Sequence, residues 1–115
     1  MNFSHEIFGN VAVVHAPDEL TEGQVPALMD TCDRLGFVHI VLELDSTEVM
    51  DSAGLTALLD LDDSLVAKGG GLKLATSNAI NRQILRLTKI DQRIQVFDSL
   101  VDAVKSFRWT VQENV

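Results

Sequence analysis

The seven residues Val38-His39-Ile40-Val41-Leu42-Glu43-Leu44 constrain the fold more than any other feature of the chain. The run is short, β-branched and almost continuously apolar, which suits a strand in the middle of a sheet with at least one face covered. A polar connection follows, Asp45-Ser46-Thr47-Glu48-Val49-Met50-Asp51, interrupted by two apolar residues. From Ser52 to about Lys68 the pattern is helical, with Leu55, Leu58, Leu59, Leu61, Leu65 and Val66 gathered on one side. Gly69-Gly70-Gly71 stops that helix, and Leu72-Lys73-Leu74-Ala75 reads as the next strand. A strand, a helix and a strand in this order call for a parallel pair joined by a right-handed crossover.

The flanking segments extend the same plan. Glu6–Phe8 and Val11–His15 are strand-like and are separated by Gly9-Asn10, which is hairpin turn chemistry. Thr21-Glu22-Gly23-Gln24 has capping-box spacing and Pro26 is tolerated only in a first turn, so a helix starts between Thr21 and Val25 and ends at Gly36. Ser77 or Asn78 caps a helix carrying Ile80, Ile84, Leu85 and Leu87. Ile94–Phe97 is a short strand, and Asp98 or Ser99 caps a last helix carrying Leu100, Val101, Val104 and Phe107. The order β-β-α-β-α-β-α-β-α predicts one α/β domain over residues 1–108, with a mixed, largely parallel sheet of about five strands and four helices, and a tail over 109–115. A chain of 115 residues has room for one domain with a true core and not for two.

Charge and residue types narrow the function. Seventeen acidic side chains against nine basic ones give a net charge of −8, which argues against gripping nucleic acid or an anionic membrane surface. The longest apolar runs, such as Val11–Val14, fall far short of the ~20 residues of a bilayer crossing. Met1–Glu6 lacks the basic start and apolar stretch of a signal peptide, and Cys32 is the only cysteine, so a reducing cytoplasm is the expected location. Cys32 shares helical spacing with Val25, Leu28, Met29 and Leu35 and is expected to be buried.

Enzymatic readings find little support. His5, His15 and His39 lie in or beside early strands, with no Gly-x-Ser-x-Gly elbow and no paired His/Cys spacing for a metal. The triple glycine follows a helix and precedes a strand, the reverse of a phosphate cradle. Asp45 stands where a phosphate-receiver domain has its acceptor, but the two acids that would correspond to its magnesium pair, Asp18 and Glu19, open onto a helix start after the second strand, and no Lys closes a later strand. No catalytic residue, metal or cofactor is expected. On the long helix, Asp60 and Asp63 fall on the polar face, whereas Asp62 falls inside the leucine stripe, at its edge or facing a partner.

In open α/β sheets, functional groups collect where strands end and helices begin. Here that points to Val49-Met50-Asp51-Ser52-Ala53-Gly54-Leu55. Ser52 stands where a helix N-cap is expected, and a phosphate on it would meet the positive end of the helix while adding charge beside Asp51. Taken alone, a helix-starting serine is a cap.

Leu42-Glu43-Leu44-Asp45, Val49-Met50-Asp51-Ser52-Ala53-Gly54-Leu55, Leu58-Leu59, Gly69-Gly70-Gly71-Leu72-Lys73-Leu74 and Leu87-Thr88-Lys89-Ile90-Asp91 together resemble the STAS domain of bacterial anti-sigma factor antagonists. The resemblance spans about Val11–Phe107 and implies a STAS-like fold and a protein-binding switch rather than an enzyme. It makes Ser52 the phosphoacceptor of a serine kinase that is also an anti-sigma factor, bound when Ser52 is unphosphorylated and released after phosphorylation, with a phosphatase resetting the state. Asp51 would orient the hydroxyl or take its proton indirectly, and Gly54 would let the partner backbone approach. Asp45, Thr47, Glu48, Met50, Ala53 and Thr56 complete the implied partner surface, on a monomer or weak dimer. The alternative is a scaffold or accessory subunit of a stress-signalling or lipid-transport complex, in which Ser52 only caps; a nucleotide-binding module is a third, weaker reading. Ala53 replaces the common Ser or Thr, Lys89 replaces the glycine of the usual turn, Ala16-Pro17-Asp18 replaces a glycine-led loop, and Asp60–Asp63 often holds basic residues in the phosphoregulated members.

Overall fold

The computed structural model describes residues 3–113, with side chains as far as Phe107. In chain order the elements are β1 (His5–Phe8), β2 (Val11–His15), β3 (Glu19–Leu20), α1 (Val25–Leu35), β4 (His39–Glu43), β5 (Val49–Met50), α2 (Ser52–Ala67), β6 (Gly71–Ala75), α3 (Ala79–Leu87), a single 3₁₀ turn (Ile90–Gln92), β7 (Val96–Phe97) and α4 (Leu100–Glu113). The main sheet runs β1-β2-β4-β6-β7, so the strand drawn from the Val38–Leu44 run is the central one. β1 and β2 form the antiparallel hairpin, and every later pairing in this sheet is parallel.

Alternation along the strands divides the core. Ala12, Val14, Ile40, Leu42, Leu72 and Leu74 face α1, α2 and α3, where Leu28, Cys32, Leu58, Leu61, Leu65 and Leu85 complete the larger cluster. Val11, Val13, Val41 and Ala75 point the other way and are covered by Ala103, Val104 and Phe107 of α4. Burial pushes the Cys32 thiol up to about 11, so this cysteine is an inert core residue.

Local chemistry sets the boundaries. Pro26 lies in the first turn of α1, Asn78 caps α3 by accepting from the Ile80 and Asn81 amides, and Ser99 Oγ accepts from Asp102 N at the start of α4. Between α2 and β6, Gly69 has φ 92, and a Cβ on Gly70 would lie 1.8 Å from the Val38 carbonyl oxygen, so both positions require glycine.

Three expectations need correction. β3 and β5 form a separate parallel two-stranded sheet inside what reads as loop, because a two-residue strand carries no hydrophobic period. α4 continues to Glu113, so positions 109–113 of the expected tail are helical, in keeping with a segment that holds no Gly or Pro after Ser99; positions 114–115 lie outside the described residues. Asp62 is neither a frayed edge nor partner-facing. It is buried and its Oδ1 accepts from Leu72 N at 3.0 Å, satisfying a backbone donor where β6 begins. Asp62→Ala strands that amide and is expected to cost about 1–3 kcal/mol in chemical denaturation, with Asp62→Asn retaining most of the stability because it keeps an acceptor.

Candidate functional site

The chain reaches Ser52 along a connection that is pinned at almost every residue. Leu44 closes β4 with its amide on the Ala75 carbonyl at 2.9 Å. Buried Asn81 of α3 donates through Nδ2 to the Leu44 and Thr47 carbonyls at 3.1 and 2.8 Å. Thr47 Oγ1 donates to the Pro17 carbonyl at 2.7 Å, and the amides of Glu48 and Val49 donate to the Asp18 carbonyl at 2.7 and 3.2 Å. The pairing of β5 with β3 then sets Glu19 opposite Val49 and Leu20 opposite Met50. Backbone polar groups that a free loop would leave to water are satisfied here by protein, so the start of α2 is held rigidly.

Asp51, not Ser52, is the N-cap of α2. Its backbone is extended, Oδ1 accepts from Gly54 N at 2.8 Å and Oδ2 accepts from Glu22 N at 3.0 Å. Aspartate precedes serine here and caps at least as well, so the hydroxyl is displaced from that role. The Gly54 amide first, and the Glu22 amide after it, hold the Asp51 carboxyl below the usual aspartate range. With both oxygens on backbone donors, Asp51 fastens the β3–α1 connection to the helix start, which is a holding role rather than that of a proton acceptor.

Ser52 is therefore the first residue inside the helix and is exposed, and no hydrogen bond from another described residue engages its hydroxyl. Glu48 and Thr56 are exposed with it, while Met50 and Ala53 are half-buried. Two members of the expected partner surface lie elsewhere. Thr47 is fully buried and spends its hydroxyl on Pro17. Gly54 is buried because the Leu20 backbone crosses it, a Cβ there falling 2.0 Å from the Leu20 carbonyl oxygen; the close approach that needs glycine is internal. Asp45 is exposed, but its Oδ1 accepts from Ser77 N at 2.7 Å and from Ser77 Oγ at 3.2 Å, which ties the end of β4 to the start of α3.

Asp18, Glu19 and Glu22 were not legible as site residues, because only the β3–β5 pairing and the Glu22–Asp51 bond bring their segment to α2. With Asp45, Glu48 and Asp51 they place six acids and no Lys or Arg in the two segments that frame Ser52. Among the described residues no cluster of His, Cys, Asp or Glu could hold a metal ion, and no helix is long and apolar enough to cross a membrane.

A second polar group lies at the same end of the sheet. Half-buried His15 at the end of β2 is clamped between Glu43, whose Oε1 meets Nδ1 at 2.7 Å, and Glu6 of β1, whose Oε1 meets Nε2 at 2.7 Å. The bond to Glu43 dominates and, with Glu6, outweighs desolvation, so the imidazole titrates above its ordinary 6.5. A raised folded-state value means this clamp contributes fully below 6.5 and its contribution is lost as pH rises through the folded value. Thermal stability is expected to fall as pH rises above 6.5 and through the raised folded-state value, and Glu43→Gln is expected to flatten that fall.

The sequence profile of the STAS domain matches residues 2–103. A candidate anti-sigma factor antagonist of Thermotoga maritima is 27% identical over 73 residues, covering 64% of this chain and 65% of that protein, so the chain spans just under two thirds of that relative's length. Among solved structures, an anti-sigma factor antagonist from Mycobacterium paratuberculosis has a TM-score of 0.82 at 24% identity, with 93% of each chain covered. The anti-sigma factor antagonist SpoIIAA of Bacillus gives 0.77 at 17% identity in its unphosphorylated form, covering 92% of this chain and 96% of that one. Its phosphorylated form gives 0.66 at 19% identity, covering 90% and 97%. At such identities the structural likeness speaks for the fold alone.

Proposed function

Because the chain belongs to the STAS domain family, we propose that it acts as an anti-sigma factor antagonist, a protein-binding domain that sequesters a serine kinase/anti-sigma factor while Ser52 is unphosphorylated. Phosphorylation of Ser52 by that partner ends the complex, and a phosphatase restores it. The observation that carries this reading is the displacement of Ser52 from the cap: Asp51 satisfies the first-turn amide, and the serine hydroxyl stands exposed at the helix start. In support, the Thermotoga maritima relative carries the name of an anti-sigma factor antagonist, and SpoIIAA exists in phosphorylated and unphosphorylated forms.

The physics gives the switch its direction. A phosphate on Ser52 meets the positive end of the α2 dipole, so the domain keeps its fold. The same group adds about −1.5 to −2 charges and considerable volume to a surface already framed by acids. A partner face that closes on a bare hydroxyl must then desolvate a dianion, and the complex opens. The domain needs no catalytic group or cofactor of its own, since the kinase supplies the chemistry.

Mass spectrometry of the protein isolated from its own cells, and after incubation with the kinase and ATP, is expected to find phosphate on Ser52. Ser52→Ala is expected to remain unmodified. An unmodified Ser52 under both conditions reduces the serine to an exposed helix residue and leaves the scaffold reading.

A further inference from the structure

A neutral imidazole cannot make both side-chain contacts of His15. Glu43 Oε1 lies 2.7 Å from Nδ1 and Glu6 Oε1 lies 2.7 Å from Nε2, so each ring nitrogen faces a carboxylate oxygen. An ionised carboxylate only accepts hydrogen bonds, and a neutral imidazole carries one N–H and one bare lone pair. The two bonds together therefore describe an imidazolium that donates on both sides, to β1 through Glu6 and to β4 through Glu43. The charged groups that raise its titration are these same two carboxylates. The α4 layer on this side of the sheet presents Ala103, Val104 and Phe107, and its Asp102 and Lys105 are exposed. Asp45 commits its carboxylate to Ser77, and Asp18, beyond the end of β2, is exposed.

The two carboxylates are not equally held. Glu43 belongs to the central strand, its side chain is 13% exposed, and its Oε2 also accepts from the Asp45 amide. Glu6 is 54% exposed and belongs to β1, an edge strand of four exposed residues that pairs only with β2. When the ring gives one proton to solvent, one nitrogen turns a lone pair toward a carboxylate, and that contact becomes repulsive. Taking the N–H from Glu43 would leave a largely buried carboxylate short of a donor, which is costly. Glu6 can turn into water instead, so Nδ1 keeps its proton and Nε2 loses it.

We propose that His15 is a proton-operated bolt on the sheet edge: with both ring nitrogens protonated it fastens β1 to β4 through Glu6 and Glu43, and loss of the Nε2 proton frees Glu6 and loosens β1 while Glu43 stays bound. Without Glu6, β1 keeps only its backbone ladder to β2 among these ties, and an edge strand with so little burial opens locally before the rest of the sheet. The sign follows from the raised titration of the ring. The bolt is fully closed below 6.5 and opens as pH rises through the folded-state value. The domain thereby has a proton-sensed state at β1, distinct from anything that happens at the start of α2.

The test is nuclear magnetic resonance on the full, nitrogen-15-labelled chain, following the His15 ring nitrogens through the titration and the exchange protection of the β1 amides on either side of it. Nε2 is expected to be the nitrogen that loses its proton, and β1 protection is expected to fall severalfold once it has gone. Glu6→Gln separates this local opening from the overall loss of stability. Its side chain is exposed, so the variant is expected to fold, and a neutral amide has no charge to set against the lone pair. In that variant β1 protection is expected to lose its pH dependence, while Glu43 still makes thermal stability fall as pH rises. Proton loss from Nδ1 overturns the proposal, as does β1 protection that is the same on both sides of the wild-type titration. A fall of equal size in Glu6→Gln and wild type overturns it as well. No partner protein enters the experiment, so its outcome is independent of the role of Ser52.

Discussion

Gly54→Ala is expected to destabilise the domain by about 3 kcal/mol or more, because the new methyl would stand against backbone rather than against a side chain that can move. The Cβ position lies 2.0 Å from the Leu20 carbonyl oxygen and 3.0 Å from its carbonyl carbon. Relief requires the β3 segment to retreat from α2. That retreat breaks the β3–β5 pairing and pulls Glu22 away from the Asp51 carboxylate. The loss in melting temperature is expected to be on the order of 10 °C, read by calorimetry. Gly23→Ala is the control: a Cβ there meets nothing within 4 Å, so its melting temperature is expected to stay within a few degrees of wild type. Equal, small effects of the two substitutions would contradict the packing described for the start of α2.

Gly54 also marks where reading the sequence succeeds and where it stops. The central strand, the long helix and the glycine stop were legible because each extends over enough residues for its period to show, and the α/β, STAS-like fold follows from their order. Ser52 was legible as the residue at a strand-to-helix junction. Its exact place was not, because Asp51 and Ser52 are adjacent residues that both cap well, and only the bond from Gly54 N decides between them. Glu22 and Asp18 reach the site through contacts spanning about thirty positions, and such pairing leaves no trace in local spacing. The role of Asp62 is hidden from the sequence for a related reason. A helical angle says that a residue faces the core, but not that a strand there offers an unpaired amide for it to accept from.

Ser52→Asp is the second substitution with a large expected effect, and the effect falls on binding rather than on folding. An acid at the first position of a helix interacts favourably with its dipole by about 0.3–1 kcal/mol, so the variant is expected to melt no lower than wild type. At the partner surface the same carboxylate must be desolvated beside Asp51, so affinity is expected to drop about tenfold or more, corresponding to at least about 1.4 kcal/mol. Ser52→Ala keeps the surface closable and permanently unmodified, and is expected to bind within about twofold of wild type in the absence of ATP. Once ATP is added, only the wild-type complex is expected to dissociate.

The central claim is that one hydroxyl decides whether the partner stays bound. Its most direct measurement is the affinity of the kinase/anti-sigma factor for the chain before and after stoichiometric phosphorylation of Ser52, made on the same preparation by calorimetry. The account predicts tight binding before and a loss of tenfold or more after, with the melting temperature unchanged. Equal affinity in the two states, at confirmed full phosphorylation, would contradict it.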